Sequence, residues 1–199
     1  MKKVTTEIFT FDELDSKAKE KARQWFRQSI GDDSSWSECV IEDAKHVFSI
    51  AGITINRVFF SGFCSQGDGA CFEGGWKAED VKPGELKKEA PGETELHRIA
   101  AGFEAVAKKY PGSTFTVKQK GHYNHENCTD FTVTTDPDLP EVQPWPEDEL
   151  IELGKDAMRW IYKALESEWN YQNTDEQVDE RIQANEYEFT KDGRRWVQR

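Results

Sequence analysis

Val58–Trp76 reads VFFSGFCSQGDGACFEGGW, and its interpretation decides the fold. Aromatic and apolar residues run up to Ser65-Gln66-Gly67-Asp68-Gly69 and resume after it, the pattern of two strands joined by a tight turn, for which Asp-Gly is a strong signal. Gly62 and the Gly74-Gly75 pair fall inside the flanking strands, where glycine weakens a sheet unless it marks a bulge, a bend or a close approach. The segment therefore predicts a bent hairpin clamped by Phe59, Phe60, Phe63, Phe72 and Trp76. A second reading is a pocket in which Ser61, Ser65, Gln66 and Asp68 meet a polar ligand beside small residues. A third is an interaction loop.

Working outward, residues 53–64 and 70–77 read as the two strands. Upstream, Ser35-Trp36-Ser37-Glu38 is a capping box opening a helix with Trp36, Val40, Ile41, Ala44, Phe48 and Ala51 inside, stopped by Gly52. Before that, Val4–Phe9 alternates as a strand. Thr10-Phe11-Asp12-Glu13 caps a further helix with Leu14, Ala18, Ala22 and Phe26 on one face, ending near Gly31. Downstream, 78–92 carries Pro83, Gly84, Pro91 and Gly92 among charges and reads as an exposed connection. Residues 93–110 form a helix ended by Pro111-Gly112. Residues 114–120 and 129–135 alternate as strands around the loop GHYNHENC, 121–128. Pro146-Glu147-Asp148-Glu149 is a strong helix start, with proline in the first turn and acids at the positive dipole end. Thr174-Asp175-Glu176-Gln177 caps a last short helix. Residues 188–196 around Lys191-Asp192-Gly193 read as a hairpin. The order predicts an α+β fold: a mostly antiparallel sheet with helices packed on one face, and acidic C-terminal helices. The proline-rich stretch 136–146 divides a core, 1–135, from a segment, 147–199, packed upon it as one domain.

The chain has 199 residues and a net charge of −12, with seven Trp and twelve Phe supplying core area. The charge is uneven: residues 136–199 hold 17 acids and 8 bases, whereas 1–135 are near neutral. Such a balance opposes a nonspecific grip on nucleic acid and suits a basic protein partner. No apolar run reaches membrane-spanning length, and residues 1–6 carry no secretory signal. Four cysteines without such a signal predict reduced thiols in a cytoplasm. Neither GxGxxG nor GxxxxGK[ST] is present. No cofactor is expected.

His122-x-x-His125-x-x-Cys128, with Cys64 and Cys71, offers residue types that zinc accepts, but the spacing matches no standard finger, and no metal is expected. A Cys–His nucleophile, such as Cys64 with His122, lacks a nearby Lys or Arg to lower the thiol pKa. The acids Glu147, Asp148, Glu149, Glu152, Asp156, Asp175, Glu176, Asp179 and Glu180 form either a solvated helix surface or a patch that docks a basic protein or mimics DNA phosphates. Lys155, Arg159 and Lys163 interrupt it. Trp36 and Trp160 fit core stripes. Trp145 lies between prolines.

The strings FTFDELDSKAKEKARQWF, FFSGFCSQGDGACFEG, GHYNHENC and ANEYEFTKDGRR resemble a family of small phage and prophage proteins, some of them labelled antitoxin of a toxin–antitoxin stability system. The likeness runs in order along nearly the whole chain, and Ser61–Gly74, SGFxSQGDGAxFxG, is its most specific part. It implies a phage origin, expression in a bacterial cytoplasm and no established activity. In that pattern the Cys64 and Cys71 positions are often Trp and Ser, which implies that the thiols are replaceable packing groups. Ser65, Gln66, Gly67, Asp68, Gly69, Gly121, His122, Tyr123 and His125 match it. Two functions are expected. The first is an acidic binding protein that neutralises or modulates a host factor, a toxin or defence component, by occlusion. The second is a small-ligand or nucleotide-processing site formed by Ser61, Ser65, Gln66, Asp68, His122, Tyr123 and His125, which requires the 65–69 turn to meet the 121–128 loop with Asp68 on a histidine. Self-association as a homo-oligomer is a further expectation.

Overall fold

A computed structural model describes residues 6–31, 33–82, 84–135 and 147–197. In chain order the elements are β1 (Phe9–Thr10), α1 (Ser16–Ile30), α2 (Ser35–Ile50), β2 (Ile53–Ser61), β3 (Gly69–Lys77), α3 (Leu86–Glu89), α4 (Thr94–Lys109), β4 (Thr114–Gln119), β5 (Thr129–Thr134), α5 (Glu147–Gln172), α6 (Asp175–Ala184) and β6 (Glu188–Phe189). The fold is α+β, and every strand pair is antiparallel.

The contacts divide the chain into two compact units, residues 1–37 with 167–199, and residues 38–166. This differs from the division at the proline-rich stretch, which itself lies, with Trp145, outside the described residues. The reason is that the apolar face of α1 finds its partners in α6 and β6, about 150 residues later. Phe11, Leu14, Ala18, Ala22, Phe26 and Ile30 are buried together with Val178, Ile182 and Phe189. Each large side chain so buried contributes roughly 1.5–3 kcal/mol. The first unit is also stitched by charge: Arg23 makes a two-pronged bond to Asp179, both contacts at 2.7 Å. Arg27 pairs with Asp175.

Several local expectations in this unit shift by a few residues. Glu13 does accept from the Thr10 amide at 2.8 Å, but only a single tight turn follows. The helix itself starts after Asp15, whose carboxylate accepts from the Ala18 amide at 2.8 Å. Likewise Ser35 is the first residue of α2 rather than its cap, and its amide is taken by Asp33 at 2.9 Å. Thr174 does cap α6 through the Gln177 amide. Of the expected opening strand, Val4 and Thr5 lie outside the described residues; β1 is Phe9–Thr10, paired with β6, and Ile8 is exposed. Beyond β6 the hairpin forms as expected: Thr190 and Arg194 pair across the Lys191-Asp192-Gly193 turn.

In the second unit β2-β3-β4-β5 form a meander. One face carries Ile53, Ile55, Phe72, Trp76, Phe115 and Val117, all buried. Helices cover that face. Phe103 of α4 lies 5.4 Å from Trp76 and 6.1 Å from Phe115, centroid to centroid. The Trp76 indole donates to Ala51 O, just beyond α2, at 3.0 Å, so its buried N–H is satisfied. The opposite face is polar and exposed, with Thr54, Thr116, Lys118, Asp130 and Thr132.

The bend predicted from the glycines exists, but its extra residue is in the other strand. Ile55 pairs with Gly74 and Arg57 with Glu73, so Asn56 is bulged out of β2. The bulge reverses the alternation, which is why Val58 and Phe60 point to the core face after Ile53 and Ile55. Gly74 faces the bulge: a Cβ there would stand 1.9 Å from Thr54 O. The strand ends at Ser61, three residues short of the expected limit, because Gly62 turns to a φ of 30°. Residues 78–92 are not simply an exposed connection. They hold a turn at 78–80 and the short α3, whose Leu86 is buried. No helix among the described residues is long and apolar enough to cross a membrane.

Candidate functional site

A meander fixes where its turns fall. The β2–β3 and β4–β5 connections must lie at one end of the sheet and the β3–β4 connection at the other. The 62–68 turn and the 120–128 loop therefore share an end, and the register brings them into contact. β4 pairs only with Gly74–Lys77, the second half of β3. Beyond the end of β4, its loop to β5 crosses the uncovered first half. A Cβ on Gly69 would stand 2.4 Å from His125 Cβ, so only glycine admits the loop at this distance. Asn124 Nδ2 donates to Phe60 O at 3.1 Å. Beneath the crossing, Cys71 is 1% exposed. Burial, with Cys128, Glu73 and Glu126 nearby, pushes its thiol up to about 12.

Each connection is locked from within. In the turn, one oxygen of Asp68 accepts from the amides of Cys64 at 3.0 Å and Ser65 at 2.6 Å, and the Asp68 amide donates to Ser65 O. The expected bond from Asp68 to a histidine is absent among the described residues: Asp68 is spent on its own turn. Gly62 is required here too, since a Cβ would meet the Asp68 carboxylate at 2.4 Å. Tyr162 of α5 donates to Gly62 O at 3.2 Å and stacks on Phe63. In the loop, Lys120 and Cys128 close a backbone bond at 2.8 Å, and Gln119 Nε2 donates to Gly121 O. Arg159 of α5 reaches Glu126 at 3.3 Å and is itself bonded to Asp156.

His125 is not set to act as a base toward Cys128. His125 Nδ1 accepts from the Asn127 amide at 3.1 Å, so the neutral ring carries its proton on Nε2. Nε2 faces Cys128 Sγ at 3.6 Å as a donor, with no lone pair free to take the thiol proton. Cys64 is exposed, so it is not the packing group that the resemblance implied, whereas the buried Cys71 is. Among the described residues no group of three His, Cys, Asp or Glu side chains is placed to hold a metal ion.

What the two connections leave free is a surface. Tyr123 is 56% exposed, edge-on to His122 and stacked with His125, with its ring edge over Gly67. His122, Ser65 and Gln66 are exposed beside it, and Ser61 is half-buried. The expected site residues are thus brought to one end of the sheet, with Asp68 and His125 as supports, Ser61 half-buried and the others exposed. Asn124, Arg159 and Tyr162, which hold the loops, had no signal in the sequence.

The acidic candidates separate into two groups. Asp175 and Asp179 are bound by Arg23 and Arg27; Asp156 by Arg98 and Arg159; Glu152 by Lys155. Glu180 accepts from Gln177. Glu147, Asp148, Glu149 and Glu176 are exposed.

A family model described as a domain of unknown function, DUF8835, matches residues 36–175. The match takes in all of the second unit. No curated protein and no solved structure matched the chain.

Proposed function

The chain belongs to the DUF8835 family, and within it we propose a binding module that meets its target through the loop end of the sheet. The observation that supports this reading is the contrast within one small area. The supports are tied by hydrogen bonds, while Tyr123, His122, Ser65 and Gln66 remain exposed. A preorganised surface loses little entropy on binding, and an exposed aromatic with small polar neighbours is the composition of a recognition surface.

The phage resemblance supplies the partner class: a host factor, a toxin or a defence component with a basic surface, met in a bacterial cytoplasm and neutralised by occlusion. Internal pairing has spent much of the acidic surface, so the residual acids, Glu147–Glu149 above all, speed encounter rather than form the contact. A second reading is a planar small ligand stacked at Tyr123, favoured by the parallel Tyr123–His125 pair.

The test is capture from host lysate at low and high salt with three baits: the natural chain, Tyr123→Ala with Gln66→Ala, and Glu147→Gln with Asp148→Asn and Glu149→Gln. The loop variant is expected to lose the partner at every salt concentration, and the acidic variant only to weaken capture at low salt. Full capture by the loop variant with loss in the acidic variant would return the contact to the acidic surface.

A further inference from the structure

We propose that a second site, at the other end of β2 and β3, binds a small amphipathic anion of the carboxylate class. A cavity of about 390 Å³ lies there between the end of α2, residues 81–82 and 84–87, and α4. It falls at the small end of the range for ligand pockets, about 300–1,000 Å³.

Its walls are fastened to one another. The Lys82 amide donates to Ile50 O at 3.0 Å, tying the connecting segment to the end of α2. His97 Nε2 lies 2.7 Å from Ala90 O; a carbonyl only accepts, so Nε2 carries the proton and ties α3 to α4. Leu86, buried at 4%, fixes α3 against the rest. The floor is apolar and made of small or branched side chains, Ile50, Ala51, Val81, Ala100 and Ala101. The alanines of α4 leave the space that larger residues would fill.

The polar groups select the charge of the occupant. Lys82 and Lys87 line the opening, and neither has a carboxylate partner among the described residues. Glu104, the one acid in the lining, is held by Lys108. At the end of α2, the Phe48, Ser49 and Ile50 carbonyls are taken by the Ala51, Gly52 and Lys82 amides. What remains for a ligand is two ammonium groups over an apolar floor. An alkyl or aryl carboxylate matches both parts: its body covers the floor, and its head meets lysines whose stems can lie along the apolar wall.

The experiment is an amide NMR titration of the full chain with sodium octanoate, and separately with octylammonium chloride at the same millimolar concentration. Octanoate is expected to shift the amides of residues 50–51, 82, 84–87 and 97–104, and octylammonium to leave them in place. Lys82→Gln with Lys87→Gln is expected to weaken octanoate about fivefold, as the loss of two exposed charge contacts would. Ala100→Leu fills the cavity and should abolish the shifts. The lysine pair lies at the rim and does not touch the core, so it decides the matter even if Ala100→Leu fails to fold. Absence of shifts at these residues, equal response to the cation, or unchanged affinity in the lysine variant would overturn the assignment.

Discussion

Replacing Gly69 with alanine tests the seating of the loop over the sheet directly. The added methyl would stand 2.4 Å from His125 Cβ and 3.0 Å from its Cα. Ordinary contact needs about 3.5–4.0 Å, so the loop must recede by roughly 1 Å or more. Gly69 lies in β3 and does not adopt a positive φ, so alanine suffers no backbone penalty there. Overpacking of this kind costs about 1–3 kcal/mol, offset by about 0.4–1 kcal/mol from the stiffer unfolded chain. The expected net loss is about 1–2 kcal/mol, which for a chain of this length lowers the melting temperature by about 2–4 °C per kcal/mol. Lifting the loop also uncovers Cys71. The assay is iodoacetamide labelling with peptide mapping, which separates Cys71 from the exposed Cys39 and Cys64. Cys71 should label faster in the variant. Gly92→Ala serves as control, because nothing lies within 4 Å of a Cβ there. Unchanged stability together with unchanged Cys71 labelling would refute the seating of His125 on Gly69, and with it the joined site.

Two further outcomes follow from the first unit. The Thr10 amide holds Glu13 below the usual carboxylate range, the Ser35 amide does the same for Asp33, and Lys21 for Asp192. Carboxylates depressed in the folded state stabilise it above their unfolded pKa and release that stability as pH falls through the folded one. The melting temperature should therefore be flat down to the ordinary carboxylate range and decline below it, with a shallower decline in Asp192→Asn; indifference to acid would contradict the assignment. Glu186, two residues past the end of α6, holds a φ of 52°, a conformation that suits glycine. Glu186→Gly should raise stability by about 1 kcal/mol in a denaturant titration, and a loss would show that its side chain has work that the hydrogen bonds do not reveal.

Much of the sheet was legible because its signals are local. Asp68-Gly69 marked the turn, alternation marked β4 and β5, and four consecutive antiparallel strands oblige the first and third turns to share an end. The convergence of the 65–69 turn with the 121–128 loop, only a condition at the level of sequence, follows from that topology. Asp68 was misread because its carboxylate serves amides three and four residues earlier, a local use that looks in sequence like an available acid. The bulge at Asn56 was invisible, because the glycines that accommodate it lie on the neighbouring strand. Least legible was the pairing of α1 with α6. Arg23 and Asp179 are 156 residues apart, and nothing in either neighbourhood names the other. Composition drew the eye to prolines, whereas the apolar stripes of the two helices divide the chain elsewhere.

That pairing has a consequence for synthesis. Phe11, Leu14, Phe26 and Ile30 leave the ribosome early, but Val178, Ile182 and Phe189 come only after the whole second unit has been made. At about 5–20 residues per second, the interval is roughly 8–30 seconds. For that time the nascent chain displays an amphipathic helix face without its mate, while the intervening second unit, complete in itself, can already fold. A chaperone that reads such faces has its opportunity in this window, and a transcript cut short before codon 175 leaves the window open for good.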